Sequence, residues 1–296
     1  MVIGLAVLVV GGLMWLLLRG RARPGGGDER HRAAPPGAEP QVPAELFAGA
    51  PVPEERRHLG RVEVSGLTKE YGGIAVVDNV SFTAEPGRVT GFLGPNGAGK
   101  TTTLRMLLGL VKPSSGVAGI GQRPYAEIES PVRTVGAVLE ASGAHEGRTG
   151  RDHLRVLCRA AGLPLGRADE VLDVVGLARA GGRRVRGYSL GMRQRLGVAA
   201  ALLGDPQVLI FDEPGTGLDP AGIRWTRDLL RALAASGRTV LVSSHQLAEV
   251  EQLADDLVVI AAGRVVTSGT LDSVIGAHAG LEEAFMELTA GRGEIR

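Results

Sequence analysis

The chain has 296 residues and a mass of 30.7 kDa, enough for one large domain or two smaller ones with a substantial core. Its 33 Lys and Arg against 32 Asp and Glu leave a formal charge of +1, so the overall balance gives no reason to expect a nucleic acid or another polyanion as partner. The single cysteine, Cys158, excludes an internal disulfide and, in an apolar stretch, reads as a small buried hydrophobe.

Residues 1–18 carry no charged side chain and are followed by Arg19, Arg21 and Arg23. As a helix this stretch rises about 27 Å, close to the roughly 30 Å hydrocarbon core of a bilayer. A cleaved signal peptide places its basic cluster before the apolar run, whereas here it comes afterwards. The pattern predicts a single transmembrane anchor, N-terminus outside, with everything after Arg19 on the cytoplasmic face of the cell membrane. The competing readings are an upstream start-site extension and an apolar tail that packs on a partner. One span offers no path for a solute, because its backbone polar groups are already satisfied within its own helix. Residues 19–60 read as a flexible linker. Gly25-Gly26-Gly27, Pro35-Pro36 and Pro40, Pro43, Pro51 and Pro53 interrupt a run too poor in large apolar side chains to offset the entropy of folding.

From Arg61 the patterning changes. Val62, Val64 and Leu67 begin one strand, Val76, Val77, Val80 and Phe82 a second, and residues 89–93 a third that ends at a glycine-rich turn. Residues 101–110 read as a helix with Leu104, Leu107, Leu108 and Val111 on one face. A strand over 134–139 leads into a mostly helical stretch, with helices over 152–161 and 168–175. Strand 207–211, helix 222–235 and strand 239–243 follow. Strand 257–261, the turn Ala262-Gly263 and residues 264–268 form a hairpin, and a short amphipathic helix over 282–288 comes last. Strands separated by helices define an α/β fold with a mixed, substantially parallel sheet core. The expected organisation is one α/β domain over 61–275, with a helical subdomain at about 140–200, and a short helical extension over 276–296.

Gly94-Pro95-Asn96-Gly97-Ala98-Gly99-Lys100-Thr101 satisfies GxxxxGK[ST] in the setting that a P-loop requires, between a strand and a helix that Thr102 continues. The glycines let successive backbone N–H groups face phosphates, and the helix N-terminus adds its positive end. Lys100 is expected to reach the β- and γ-phosphates of ATP, and the Thr101 hydroxyl to coordinate Mg²⁺. An ordinary glycine-rich turn is the alternative; the complete motif in its required context argues against it. Strand 207–211 supplies an independent element, since it delivers Asp212 and Glu213 to its end. Asp212 suits the metal side, largely through water, and Glu213 suits the role of polarising the attacking water or accepting its proton.

These motifs come with Tyr188-Ser189-Leu190-Gly191-Met192-Arg193-Gln194-Arg195, then Gly217-Leu218-Asp219-Pro220, then Ser243-Ser244-His245. In that order, over about 61–289, the set resembles the ATP-binding subunit of ABC transporters. The texture of 187–206, 217–225 and 281–285 is similar to the bacterial multidrug and antibiotic exporters of the bacitracin and daunorubicin resistance type. The resemblance implies that Tyr71 stacks on adenine. It implies that Ser189 and Gly191 contact the γ-phosphate held by an opposite subunit, and that Asp219 belongs to a loop communicating between sites. His245 becomes the switch histidine that touches the γ-phosphate and helps hold the attacking water with Glu213. Each composite site takes one subunit's P-loop and the other's signature, so the expected partners are a second ATPase subunit, a copy of this chain or a relative, and a separate multi-span permease.

Two departures stand out. The family's Q-loop glutamine aligns with Glu140, which when ionised cannot donate a hydrogen bond but can still approach Mg²⁺ or its water. In the signature, Leu190 and Met192 replace the family's usual glycine and glutamine. A competing class is a regulatory or non-transport ABC-type ATPase acting on a membrane sensor or another macromolecule. No sustained heptad pattern between Lys100 and Asp212 suggests the long coiled coil of DNA-maintenance relatives.

Overall fold

The structure, a computed structural model, describes residues 60–139 and 143–290. The expectations for 1–18, for nearly all of the linker and for Glu140 lie outside the described residues. Among the described residues no helix is long and apolar enough to cross a membrane.

In chain order the elements are β1 (Val62–Tyr71), β2 (Ile74–Ala84), β3 (Val89–Leu93), α1 (Lys100–Leu107), β4 (Ser115–Ile120), α2 (Pro131–Thr134) and β5 (Val135–Val138). There follow α3 (Gly150–Ala160), α4 (Arg167–Val174), α5 (Leu190–Leu202), β6 (Val208–Asp212), α6 (Pro220–Ala235) and β7 (Thr239–Ser244). Then come α7 (Leu247–Glu251), β8 (Asp256–Ala261), β9 (Arg264–Thr270), α8 (Leu271–Ile275) and α9 (Leu281–Thr289). Most elements read from the sequence are present, with ends moved by a residue or two. Helix α1 stops earlier than expected, because Gly109 N–H bonds to Met106 O and Leu110 N–H to Arg105 O in a closing turn.

Six strands form the main sheet in the order β5-β6-β7-β3-β8-β9. Every pair in it is parallel except the β8–β9 hairpin. Strands β3, β6 and β7 are buried along their whole length, as strands covered on both faces must be, which is why they read as charge-poor, largely apolar segments without alternation. The first two strands do not join this sheet. With β4 they make a separate antiparallel sheet, β2-β1-β4. β4 escaped the sequence reading because only Ile120 of its six residues is fully buried, so no alternation marks it. Its pairing is supplied by β1, with Val62 opposite Ile120.

Three cores pack against the main sheet, the smallest of them through Leu93, Val250, Val259 and Leu281 beside α7, α8 and α9; the two larger ones position the site. One joins β6 and β7 to α3, α4, α5 and α6 through Leu154, Leu172, Leu196, Phe211 and Leu229. The other joins the opposite face to α1 and the antiparallel sheet through Leu104, Leu107, Phe82 and Phe92. The rings of Phe82 and Phe92 stack with centroids 5.1 Å apart, fastening one sheet to the other. Cys158 is fully buried in the first core, and burial pushes its thiol pKa up, as expected of an inert packing residue. Ahead of β1, buried Gly60 accepts a hydrogen bond at 2.6 Å from Thr239 Oγ1, the first residue of β7.

Candidate nucleotide site

Strands β3, β6 and β7 are parallel, so they end at one edge of the sheet. The register sets Asp212 opposite Ser243 and Leu93 opposite Ser244. The carboxyl edge of such a sheet is where ligands bind, since loops and helix N-termini converge there.

Gly99 is the N-cap of α1 with φ 99°, and a Cβ added to it would lie 2.7 Å from Val76 O, so both conformation and contact demand glycine. Lys100 and Thr101 are thereby delivered as the first residues of α1. Lys100 Nζ, in a side chain only 6% exposed, donates to Gly94 O at 2.6 Å and to Pro95 O at 3.2 Å, and stands 3.6 Å from Glu213 Oε1. Desolvation lowers its pKa, against the opposing influence of Glu213 and Asp212.

Thr101 Oγ1 donates to Asp212 Oδ2 at 2.7 Å. Ser243 Oγ donates to Asp212 Oδ1 and accepts the Glu213 N–H at 3.2 Å, so a single hydroxyl orients both acids. The Glu213 N–H also points to Ser243 O at 3.1 Å. Glu213 has φ 53°, the left-handed region that a non-glycine residue seldom occupies. The turn carries its carboxylate into the cleft, where Oε2 lies 2.6 Å from His245 Nδ1 and 3.5 Å from Thr216 Oγ1. With Nδ1 protonated, His245 donates to that oxygen. A cleft of about 350 Å³ is lined by the loop from Asn96 to Gly99, by Lys100, Thr101 and Thr102, and by Val76, Glu213, Thr216 and His245.

Among the described residues no group of three or more His, Cys, Asp and Glu is placed to hold a metal ion unaided. A threonine hydroxyl beside one buried carboxylate suits Mg²⁺ instead, because that ion takes few protein ligands and completes its shell with phosphate oxygens and water.

The remaining expected residues lie elsewhere. Tyr71, half exposed at the end of β1, has Lys69 Nζ 4.9 Å from its ring centroid and is not part of the cleft lining, which Val76 reaches instead. Ser189 is the N-cap of α5 and accepts from Met192 N–H at 3.3 Å, with Gly191 in the first turn. Asp219 caps α6 by accepting from Gly222 N–H at 2.8 Å, ahead of Pro220 at the first helical position. Within one chain neither of these caps lines the cleft. The sequence reading assigned no role to Ser243, Thr216 or Val76, and only the Ser-Ser-His string hinted at the first. A neighbouring hollow of about 340 Å³ between α6 and α7 contains no P-loop residue; Glu249 lines it, its carboxyl pKa raised first by burial and then by Glu213.

A loop shaped to wrap phosphate, closed by an acid pair on the adjoining strand end, makes this a P-loop nucleoside triphosphatase. A family model described as "ABC transporter" matches residues 77–216. The bacitracin transport ATP-binding protein BcrA of Bacillus licheniformis is 43% identical over 208 residues, covering 69% of this chain and 68% of that protein. The daunorubicin/doxorubicin resistance ATP-binding protein DrrA of Streptomyces peucetius is 40% identical over 225 residues, 73% of this chain and 68% of that protein. A solved structure of the ATP-binding subunit of an ABC transporter superposes with a TM-score of 0.70 at 31% identity, covering 77% of this chain and 99% of that one. The chain belongs to the ABC transporter ATP-binding family, whose members bind ATP and couple its hydrolysis to transport. The motif-based resemblance to the bacitracin and daunorubicin types is thereby borne out.

Proposed function

We propose that this chain binds and hydrolyses Mg-ATP to energise a separate multi-span permease for export of a drug, antibiotic or lipid-like compound. The observation that carries this reading is the meeting of Lys100, Glu213 and His245 in one cleft, next to the Thr101–Asp212 pair. Lys100, which now donates to carbonyls of its own loop, exchanges them for the β- and γ-phosphate oxygens, which are stronger acceptors because they are charged. Thr101 and Asp212 would hold Mg²⁺, which neutralises developing phosphate charge when bound. Glu213 takes the proton of the attacking water and His245 fixes the carboxylate and the γ-phosphate side of that water.

The partner half of each site comes from a second copy or a related subunit, through Ser189, Gly191 and Asp219. Tyr71 is assigned to the adenine and Glu140 to the magnesium side and the coupling loop. Closure on ATP and opening after product release would reorient the permease. Residues 1–18 are assigned to a membrane anchor, 19–60 to a linker, 61–275 to the ATPase domain on the cytoplasmic face and 276–296 to a C-terminal extension. The names of the relatives support export, since BcrA serves bacitracin transport and DrrA daunorubicin resistance.

The test is Glu213→Gln in the full chain. Steady-state ATP turnover should fall at least about 100-fold, because a positioned general base contributes on the order of 10² to 10⁴. ATP should remain bound, in a dimer visible by size-exclusion chromatography. Turnover equal to wild type would remove Glu213 from its role.

A further inference from the structure

The segment that follows Glu213 is fastened to the signature helix α5 at three points. Gln194, 4% exposed, donates from Nε2 to Pro214 O at 2.9 Å, while its Oε1 is buried without a hydrogen-bond partner. The amide is therefore held inside the protein for a single bond, to the residue next to Glu213. Leu190, in the first turn of α5, is 49% exposed and lies over Gly217. A Cβ on Gly217 would stand 2.6 Å from Leu190 Cδ2, and Gly217 has φ 75°, so two constraints keep that position glycine. Leu218 returns the contact, its Cδ2 3.7 Å from the point where Gly191 would carry a Cβ. Further along, the Arg195 guanidinium sits 4.6 Å from the centroid of Trp225 on α6.

Glu213 thus occupies its left-handed conformation between two anchors. Ser243 holds its amide on one side. Gln194 holds the next carbonyl on the other. Neither anchor is exposed, so neither is weakened by competing water.

We infer that Gln194 is a positioning residue for Glu213, and that it transmits displacement of α5 to the carboxylate through Pro214. This rests on the proposed role of Glu213 and on the proposed contact of the α5 N-terminus with nucleotide held by the opposite subunit. The signature of one chain serves the partner's ATP, whereas Glu213 serves its own. The Gln194 bond therefore links the two composite sites inside a single subunit. Leu190, where the family usually has glycine, adds an apolar contact to the same link.

The test is a double-mutant cycle on the full chain, with radiolabelled ATP to follow slow turnover. Gln194→Met keeps the length of the side chain and removes the donor. It should lower kcat about tenfold and leave KM for ATP within about twofold, whereas general loosening of the fold would change both. In a Glu213→Gln background the same substitution should cause no further loss, since its effect passes through Glu213. Leu190→Ala, at a half-exposed position that leaves the core intact, should show the same non-additivity at about threefold. Equal losses in the two backgrounds, or unchanged kcat in Gln194→Met, would overturn the link. Wild-type turnover in Glu213→Gln alone would instead remove the assignment of Glu213, and the link with it, and is recognised from that one variant.

Discussion

Acid should weaken the fold through one side chain, His153. It sits on α3, 6% exposed, with Nδ1 buried and lacking a hydrogen-bond partner. Its pKa falls from 6.5 to about 4, first because burial disfavours the imidazolium and then because Arg148 and His145 add positive charge nearby. The folded value lies below the unfolded one, so the unfolded chain binds more protons between those limits. The contribution is therefore absent above pH 6.5, grows as pH falls, and reaches its full destabilising size below pH 4. A separation of that size corresponds to about 3 kcal/mol in all, of which about 2 kcal/mol is present at pH 5. His153→Leu, close in volume, removes the term. The variant should melt within a few degrees of wild type at pH 8 and about 4 to 8 °C above it at pH 5, taking about 2 to 4 °C per kcal/mol for a domain of this size. Differential scanning calorimetry across pH 5 to 8 measures both curves. Parallel curves, with a constant offset at every pH, would refute the argument, because a histidine that stays exposed or paired when folded gives no such divergence.

Two other outcomes follow from the site, and a third concerns the proposed anchor. Lys100→Ala should weaken ATP binding about 10- to 100-fold, the size of one or two hydrogen bonds to charged groups, in a fluorescent-nucleotide titration; unchanged affinity would contradict the phosphate contact. Ser243→Ala removes the hydroxyl shared by Asp212 and the Glu213 amide, and should lower kcat about tenfold and raise the Mg²⁺ concentration needed for half-maximal rate, while Ser244→Ala, one residue along, should not. The proposed anchor is tested by carbonate washing of membranes from cells lacking the permease. The full chain should stay in the pellet and a chain starting at Glu55 should not, and equal release of both would count against a self-sufficient span.

The order of strands and helices was legible because parallel strands buried on both faces have apolar centres without alternation, as in residues 208–211 and 240–242. The P-loop and Asp212-Glu213 were legible because their chemistry is local, a few consecutive residues at a strand end. What stayed hidden depends on distance in sequence. Ser243 acts on residues thirty positions away, and nothing in Ser-Ser-His says which hydroxyl turns toward Asp212. Gln194 reaches Pro214 across a strand boundary, and its burial cannot be inferred from a stretch as polar as 193–195. The separate antiparallel sheet was hidden for a similar reason, since its edge strand β4 carries glycines and exposed side chains and is specified by its partner β1.

The hydrogen bond from Thr239 Oγ1 to Gly60 O has a mechanical consequence. It pins the entry of the folded domain to the first residue of β7, at the sheet edge opposite the nucleotide cleft and roughly 17 Å from Ser244 at strand spacing. The far end of the same strand carries Ser243 and leads directly into His245, so one strand ties the residue that opens the folded domain to the residues that orient Glu213.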